Sequence, residues 1–269
     1  MELGISSFAY SWAIGIPEYK PLDPMNAEGL IHKAKSLGLN RVQYGDNLPL
    51  HILDSRELQA LIKLTEKEGI QVEVGMRGLI PDLVKKYLSI GEKFNSPFLR
   101  VVIDTHNYEP EPSEIINIIN NLLPILKEKR IRLAIENHDR LKDWEFAELV
   151  TKTDPDWVGI CLDTINSFGA DQSIGEVLST LAPYTINFHV KDYLIRRKWH
   201  NMGFEVTGSP AGQGMMPIQS ILKELEKYGK CHSAILELWT EPGKDVDSAI
   251  SKENEWAIES IRYLKQIIN

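Results

Sequence analysis

Eight short β-rich runs alternate with longer amphipathic stretches from one end of this 269-residue chain to the other, and that alternation narrows the fold more than any other feature. The runs are Leu3–Ser7, Arg41–Tyr44, Gln71–Gly75, Leu99–Ile103, Arg132–Glu136, Val158–Asp163, Thr185–Val190 and Ser233–Leu238. Between them, stretches such as AEGLIHKAKSLG, SRELQALIKLTEKEG and SEIINIINNLLPILKEK repeat apolar residues at three- and four-residue steps, the helical period. Gly38, Gly69 and Gly229 stand just before the next run, where helices stop. Strand–helix–strand repetition implies parallel strands joined by right-handed crossovers. Eight such units in a chain of this length predict an α/β protein, a (β/α)8 TIM barrel forming a single domain over residues 1–269. An open dinucleotide-binding sheet is disfavoured, because no Gly-x-Gly-x-x-Gly follows the first run.

Charge and composition limit the partners. The net charge of −8 argues against a nucleic-acid or anionic-membrane surface, where a basic stripe is expected. The two cysteines, Cys161 and Cys231, have no motif spacing, and Cys161 sits in the apolar run VGICLD. With no apolar run of about 18 residues and no basic-then-apolar opening, the chain reads as cytoplasmic, without a membrane partner. The one dense basic cluster, Arg196-Arg197-Lys198, suits a single small anion. It lies in residues 191–217, a Gly- and aromatic-rich connection that reads as a lid or binding loop. The composition leaves room for a homo-oligomer.

In a barrel of this kind the active site lies where the strands end. Four consecutive runs end in metal-ligand residues: RLAIE in Glu136, VGICLD in Asp163, INFHVKD carries His189, and AILELW carries Glu237. Any one such carboxylate, taken alone, reads equally well as a helix N-cap. Four on adjacent strands, each in an apolar run, do not. Three carboxylates converging without a cation would repel one another. The set predicts one divalent metal ion, Mn²⁺ first, with Mg²⁺ or Co²⁺ as alternatives to it, because the ligands are hard and mostly oxygen.

Strand alternation adds candidates for substrate contact. If His189 points inward, so does Lys191; if Glu237 does, so does Trp239. Glu73 and Arg100 stand on adjacent strands and are expected to form an ion pair in the barrel mouth. Asn137 and His138 follow a ligand directly and read as supporting or substrate contacts, with an ordinary loop histidine as the alternative for His138. Trp12, just past the first run, is expected to form an apolar wall over a sugar, whereas Trp256 reads as packing.

These strand ends, quoted as IENH, CLDTINSFG, NFHVKD and ILELW, resemble the xylose isomerase-like TIM-barrel superfamily of sugar isomerases and epimerases, over nearly the whole chain. By resemblance to its ketose 3-epimerases, Glu136 and Glu237 would be both metal ligands and proton-transfer groups. Lys191 and Arg196 or Arg197 would touch substrate oxygens or a carboxylate. The long loop departs from the short loop of many epimerases. A metal that polarises a carbonyl supports the removal of a neighbouring proton, and a positioned carboxylate moves it. The expected activity is therefore a metal-dependent sugar isomerase or epimerase of carbohydrate metabolism. The runner-up is a lyase or decarboxylase of a 3-keto sugar or keto sugar acid, its carboxylate held by the basic loop. An apurinic endonuclease needs more histidine ligands than this chain has at its strand ends, and a non-catalytic sugar-binding barrel has no need of two glutamates.

Overall fold

In the computed structural model, which describes residues 1–268, eight parallel strands close into a barrel. They are β1 (Glu2–Ser6), β2 (Arg41–Tyr44), β3 (Gln71–Arg77), β4 (Phe98–Val102), β5 (Arg132–Glu136), β6 (Val158–Asp163) and β7 (Thr185–Val190), with Ser233–Leu236 as the eighth. Two further strands, β8 (Asp192–Arg197) and β9 (Phe204–Ser209), lie outside the barrel, so the eighth barrel strand is β10. It closes the ring by pairing with β7 on one side and β1 on the other. The expected strands are all present. The last ends at Leu236 rather than Leu238, although the Glu237 N–H still donates to Val190 O at 3.1 Å.

Nine helices surround the barrel among the described residues: α1 (Ser11–Ile14), α2 (Ala27–Ser36), α3 (Ser55–Glu68), α4 (Pro81–Lys93), α5 (Pro112–Lys129), α6 (Asp143–Thr151), α7 (Ile174–Leu181), α8 (Ile218–Glu226) and α9 (Val246–Ile267). Local chemistry sets their ends. In α3, Asp54 and Glu57 form a reciprocal capping box, and Gly69 ends the helix at φ 63°, a left-handed turn that glycine adopts without steric cost. Leu58, Leu61, Ile62 and Thr65 form its buried face. The main hydrophobic core lies between strands and helices.

Inside the barrel the packing is polar. Gln43, Glu73, Asn187 and Ser233 are buried and bonded to one another: Gln43 Nε2 donates to Glu73 Oε2 (3.0 Å) and Asn187 Oδ1 (3.1 Å), and Asn187 Nδ2 donates to Ser233 Oγ (2.7 Å). Glu73 is ion-paired with Arg41 at 2.8 Å, not with Arg100 as expected. The register explains the difference. Gly75, not Glu73, lies beside Arg100, so Glu73 sits two residues lower in the barrel, level with Gln43.

The connection after β7 is not the irregular loop expected. Its strands pair antiparallel from Asp192↔Ser209 to Arg197↔Phe204. The buried Asp192 carboxylate fixes the base of this hairpin, accepting from the N–H groups of Tyr193 (2.8 Å), Gly212 (2.8 Å), Gly214 (3.0 Å) and Met216 (2.9 Å). The tip projects into solvent, with Trp199 92% exposed.

Glu253, on α9, ties the segment after β1 to the outer layer. Its carboxylate accepts from the N–H groups of Trp12 (2.8 Å) and Ala13 (3.0 Å). Burial pushes its pKa up from 4.5 to about 7. The folded state therefore resists an ionisation that the unfolded chain undergoes near its ordinary value. This contribution is full below that value and is lost as pH rises through about 7. The expected loss is roughly 3 kcal/mol at most, counting about 1.4 kcal/mol per pKa unit. Denaturant unfolding of the native protein and Glu253→Gln across this pH range should show the native protein losing stability relative to the variant. Parallel curves would refute the assignment.

Candidate metal centre

Glu136 ends β5, Asp163 ends β6, His189 is the fifth residue of β7 and Glu237 follows β10; these four strands are neighbours in the ring. All four side chains are buried, and they converge at the C-terminal pole of the barrel. Asn137 fixes the end of β6, accepting from the Asp163 N–H (2.8 Å) and donating to Asp163 O (2.6 Å) and Ser167 Oγ (2.8 Å). Asn166 Nδ2 donates to Glu136 Oε1 at 3.0 Å, and Arg100 is ion-paired with the other Glu136 oxygen. Lys191 bridges Asp163 Oδ2 (2.5 Å) and Glu237 Oε2 (2.9 Å).

His189 reveals what the cluster can hold. Its Nε2 lies 2.7 Å from Gln43 Oε1. The amide nitrogen of Gln43 is committed to Glu73 and Asn187, so its oxygen faces the ring and Nε2 carries the proton. Nδ1 then presents a bare lone pair, 3.5 Å from Glu136 Oε2, 3.5 Å from Glu237 Oε1 and 3.8 Å from Asp163 Oδ2. Neither Nδ1 nor Glu237 Oε1 has a hydrogen-bond partner, although both are buried. A lone pair facing three anionic oxygens is repulsive, and these separations are too long for N–H···O bonds. They suit atoms sharing one cation, since metal–ligand bonds near ~2.1 Å put neighbouring ligands roughly 3.0–3.5 Å apart.

The electrostatics agree. Burial alone would lower the His189 pKa, but Glu237 and Glu136 outweigh it and raise it, so the position calls for positive charge. Burial alone would raise the Asp163 pKa, but Lys191 and His189 hold it well below the usual carboxylate range. Cys161, one layer below, donates to Asn187 Oδ1 at 3.0 Å, and burial pushes its thiol pKa far up. Among the described residues, two trios have metal-ligating spacing, Asp163–His189–Glu237 and Glu136–Cys161–His189, and they share His189, which fits one ion rather than a multi-metal cluster.

Above the cluster is a cavity of about 370 Å³. Lys191, Glu237, Asn166, Ser11 and Asp139 supply its polar lining, and Phe8, Phe168 and Trp239 its aromatic walls. Trp12, expected to form that wall, instead turns its indole N–H to Thr240 O (2.8 Å) and is buried. Glu73 lies deeper, in the barrel interior, away from the cavity. Arg196 and Arg197 sit on the exposed hairpin, where Arg197 stacks over Phe204 at 4.5 Å and donates to Asn201 O, so neither is brought to the cluster in this conformation. His138 is half-buried beside Arg77 (3.4 Å) and touches no ligand. Gln43, Asp46 and Asn166 were missed in the sequence. Asp46 pairs with both Arg100 (3.1 Å) and Arg77 (3.0 Å). Only Gln43 left a signal, as a polar residue in the inward register of β2.

The model of the xylose isomerase-like TIM barrel family matches residues 31–267. A 3-oxo-isoapionate decarboxylase of Pectobacterium atrosepticum is 24% identical over 266 residues, covering 98% of this chain and 95% of that protein. Among solved structures, D-psicose 3-epimerase from Clostridium cellulolyticum H10, with D-tagatose, superposes over 100% of both chains with a TM-score of 0.75 and 15% identity. A Mycobacterium smegmatis xylose isomerase-like TIM barrel protein in complex with magnesium superposes over 97% of each chain, with a TM-score of 0.68 and 13% identity.

The Gln43–His189 bond makes the metal centre depend on a residue that would not touch the ion. Gln43→Leu should fold and lose about ten- to a hundredfold in Mn²⁺ affinity, as loss of a ligand's orienting partner does. Competition with a chelating dye measures it; native affinity in the variant would show that Nε2 needs no partner.

Proposed function

The chain belongs to the xylose isomerase-like TIM barrel family, and from that membership and the geometry of its metal centre we propose that it is a divalent-metal-dependent decarboxylase of a small keto sugar acid. One observation carries the reading. Glu136, Asp163 and Glu237 are countered by two cations, the buried Arg100 and the half-buried Lys191. The cluster is left with one negative charge, which a divalent ion converts to one positive charge. A buried centre of that sign suits an anionic substrate. The relative aligned end to end, named for the decarboxylation of 3-oxo-isoapionate, supports the same class.

Glu136, Asp163, His189 and Glu237 would hold the ion, with Mn²⁺ first among the candidates. When bound, it supplies a Lewis acid that stabilises negative charge on a carbonyl oxygen. In the proposed reaction the bond between the carboxyl carbon and the carbon next to the ketone breaks. Carbon dioxide leaves, and the electron pair passes into the ketone as an enolate, which then takes one proton on carbon. Lys191 holds its ammonium beside the reacting oxygens. Phe8, Phe168 and Trp239 shield them from water. The enolate's proton comes from the Lys191 ammonium, which lines the cavity; Glu237, ionised and 2.9 Å from that ammonium, holds it in place. Glu136 has both oxygens engaged, by Arg100 and Asn166, and serves as a fixed ligand.

Epimerisation of a neutral ketose is the second reading. It is favoured by the equal 3.5 Å spacing of Glu136 and Glu237 from His189 Nδ1, which fits one carboxylate on either side of a substrate. It requires both glutamates as free bases, and the engagement of Glu136 counts against that.

The two readings separate in one screen of keto sugar acids and ketoses with Mn²⁺-loaded protein. Decarboxylation predicts metal-dependent CO₂ release, with one solvent deuterium in the ketone product. Lys191→Met should slow it by about 10²–10⁴-fold while metal remains bound. Inert keto acids, alongside a ketose that exchanges a carbon-bound hydrogen, would establish epimerisation instead.

A further inference from the structure

At the opposite pole, the first residues of the strands enclose a second cavity, of about 500 Å³. Arg41 opens β2, Gln71 β3, Phe98 β4, Arg132 β5 and Ser233 β10, and all five line it. One side is apolar, formed by Ile62, Phe94, Phe98 and Ile186. The charged residues on its lining are Arg41, Arg132, Lys93, Glu66 and Glu73, with His232 beside them.

The two guanidinium groups differ. The terminal nitrogens of Arg41 are committed, bonded to Glu73, Glu2 and Gln71, although its Nε is buried without a partner. Arg132 is half-buried and, among the described residues, forms no side-chain hydrogen bond or ion pair; its Nε is fully buried and without a partner. Asp156 acts on it only at a distance, and burial pushes its pKa down. A partnerless, partly desolvated cation is costly in a folded protein unless something satisfies it. Here it lines a cavity of ligand size together with aromatic and aliphatic side chains, Phe98 being its register neighbour on β4.

We propose that this cavity is a binding site for a small organic anion, an apolar body carrying one carboxylate or sulfonate, with Arg132 pairing with the charged group and Phe94, Phe98 and Ile186 covering the body. It lies at the other end of the strands from the metal centre, so its occupant need not be the substrate. The lining favours a monoanion over inorganic phosphate, because Glu66 and Glu73 would oppose a multiply charged ion.

Anilinonaphthalenesulfonate, an aromatic body with one sulfonate, is a suitable probe, titrated by fluorescence into the metal-loaded protein. One site per chain is expected, displaced by hexanoate. Arg132→Met should weaken probe binding about tenfold, the loss of roughly one charge-assisted contact. The same substitution should raise the melting temperature of the probe-free protein, because it removes a charge with no partner. A purely structural arginine would give the reverse. Trp199→Ser, at the exposed hairpin tip, should leave binding unchanged. Native affinity in Arg132→Met, a lowered melting temperature in that variant, or loss of binding in Trp199→Ser would each overturn the proposal.

Discussion

Three carboxylates buried at one end of a barrel repel one another unless positive charge meets them, and the C-terminal half of this molecule is organised around that demand. Arg100 is drawn to Glu136, and Lys191 sits between Asp163 and Glu237. His189 is turned so that its unprotonated nitrogen faces the oxygens, and Gln43 holds it there. The remaining deficit is one that a divalent cation would fill, and the His189 lone pair already faces the three carboxylates. The aromatic walls above limit access of water, which keeps these interactions strong.

The convergence of Glu136, Asp163, His189 and Glu237 was legible in the sequence because strand ends are legible. A polar residue closing an apolar run in a parallel barrel has one place to go, and four in succession leave little choice. Side chains that act across strands were harder to read. Strand stagger decides whether a long side chain meets its lateral neighbour or one two residues further up. That stagger sends Arg100, level with Ala134, up to Glu136, and leaves Glu73 to Arg41. The hairpin of β8 and β9 was read as a loop because its tip is exposed on both faces, so it lacks the apolar alternation that marks a buried strand. Trp12 and Trp239 could not be told apart by residue type. The difference lies in whether the indole nitrogen finds a backbone carbonyl away from the cavity.

The polar interior links the two poles. Arg41 holds Glu73, Glu73 accepts from Gln43, and Gln43 accepts from His189, at 2.8, 3.0 and 2.7 Å. This line runs from the cavity at the start of the strands to the ligands at their end. Each member is buried and bonded to the next, and the unpartnered nitrogens, Arg41 Nε and His189 Nδ1, lie at the two ends of the line. It also penalises a slip of strand register. Moving β2 or β7 by two residues would break several of these bonds at once and leave their partners unpaired.

The four ligands come from β5, β6, β7 and β10, which are contiguous in the ring, while β1 to β4 contribute none. The barrel therefore divides into a half that would hold an ion and a half whose strand ends, with Asp46, Arg77 and Phe8, would be free of that duty. Changes in that second half that leave Gln43, Asp46 and Arg100 in place can reshape the cavity wall while the four side chains stay where they are, a form of modularity built into the order of strands around one ring.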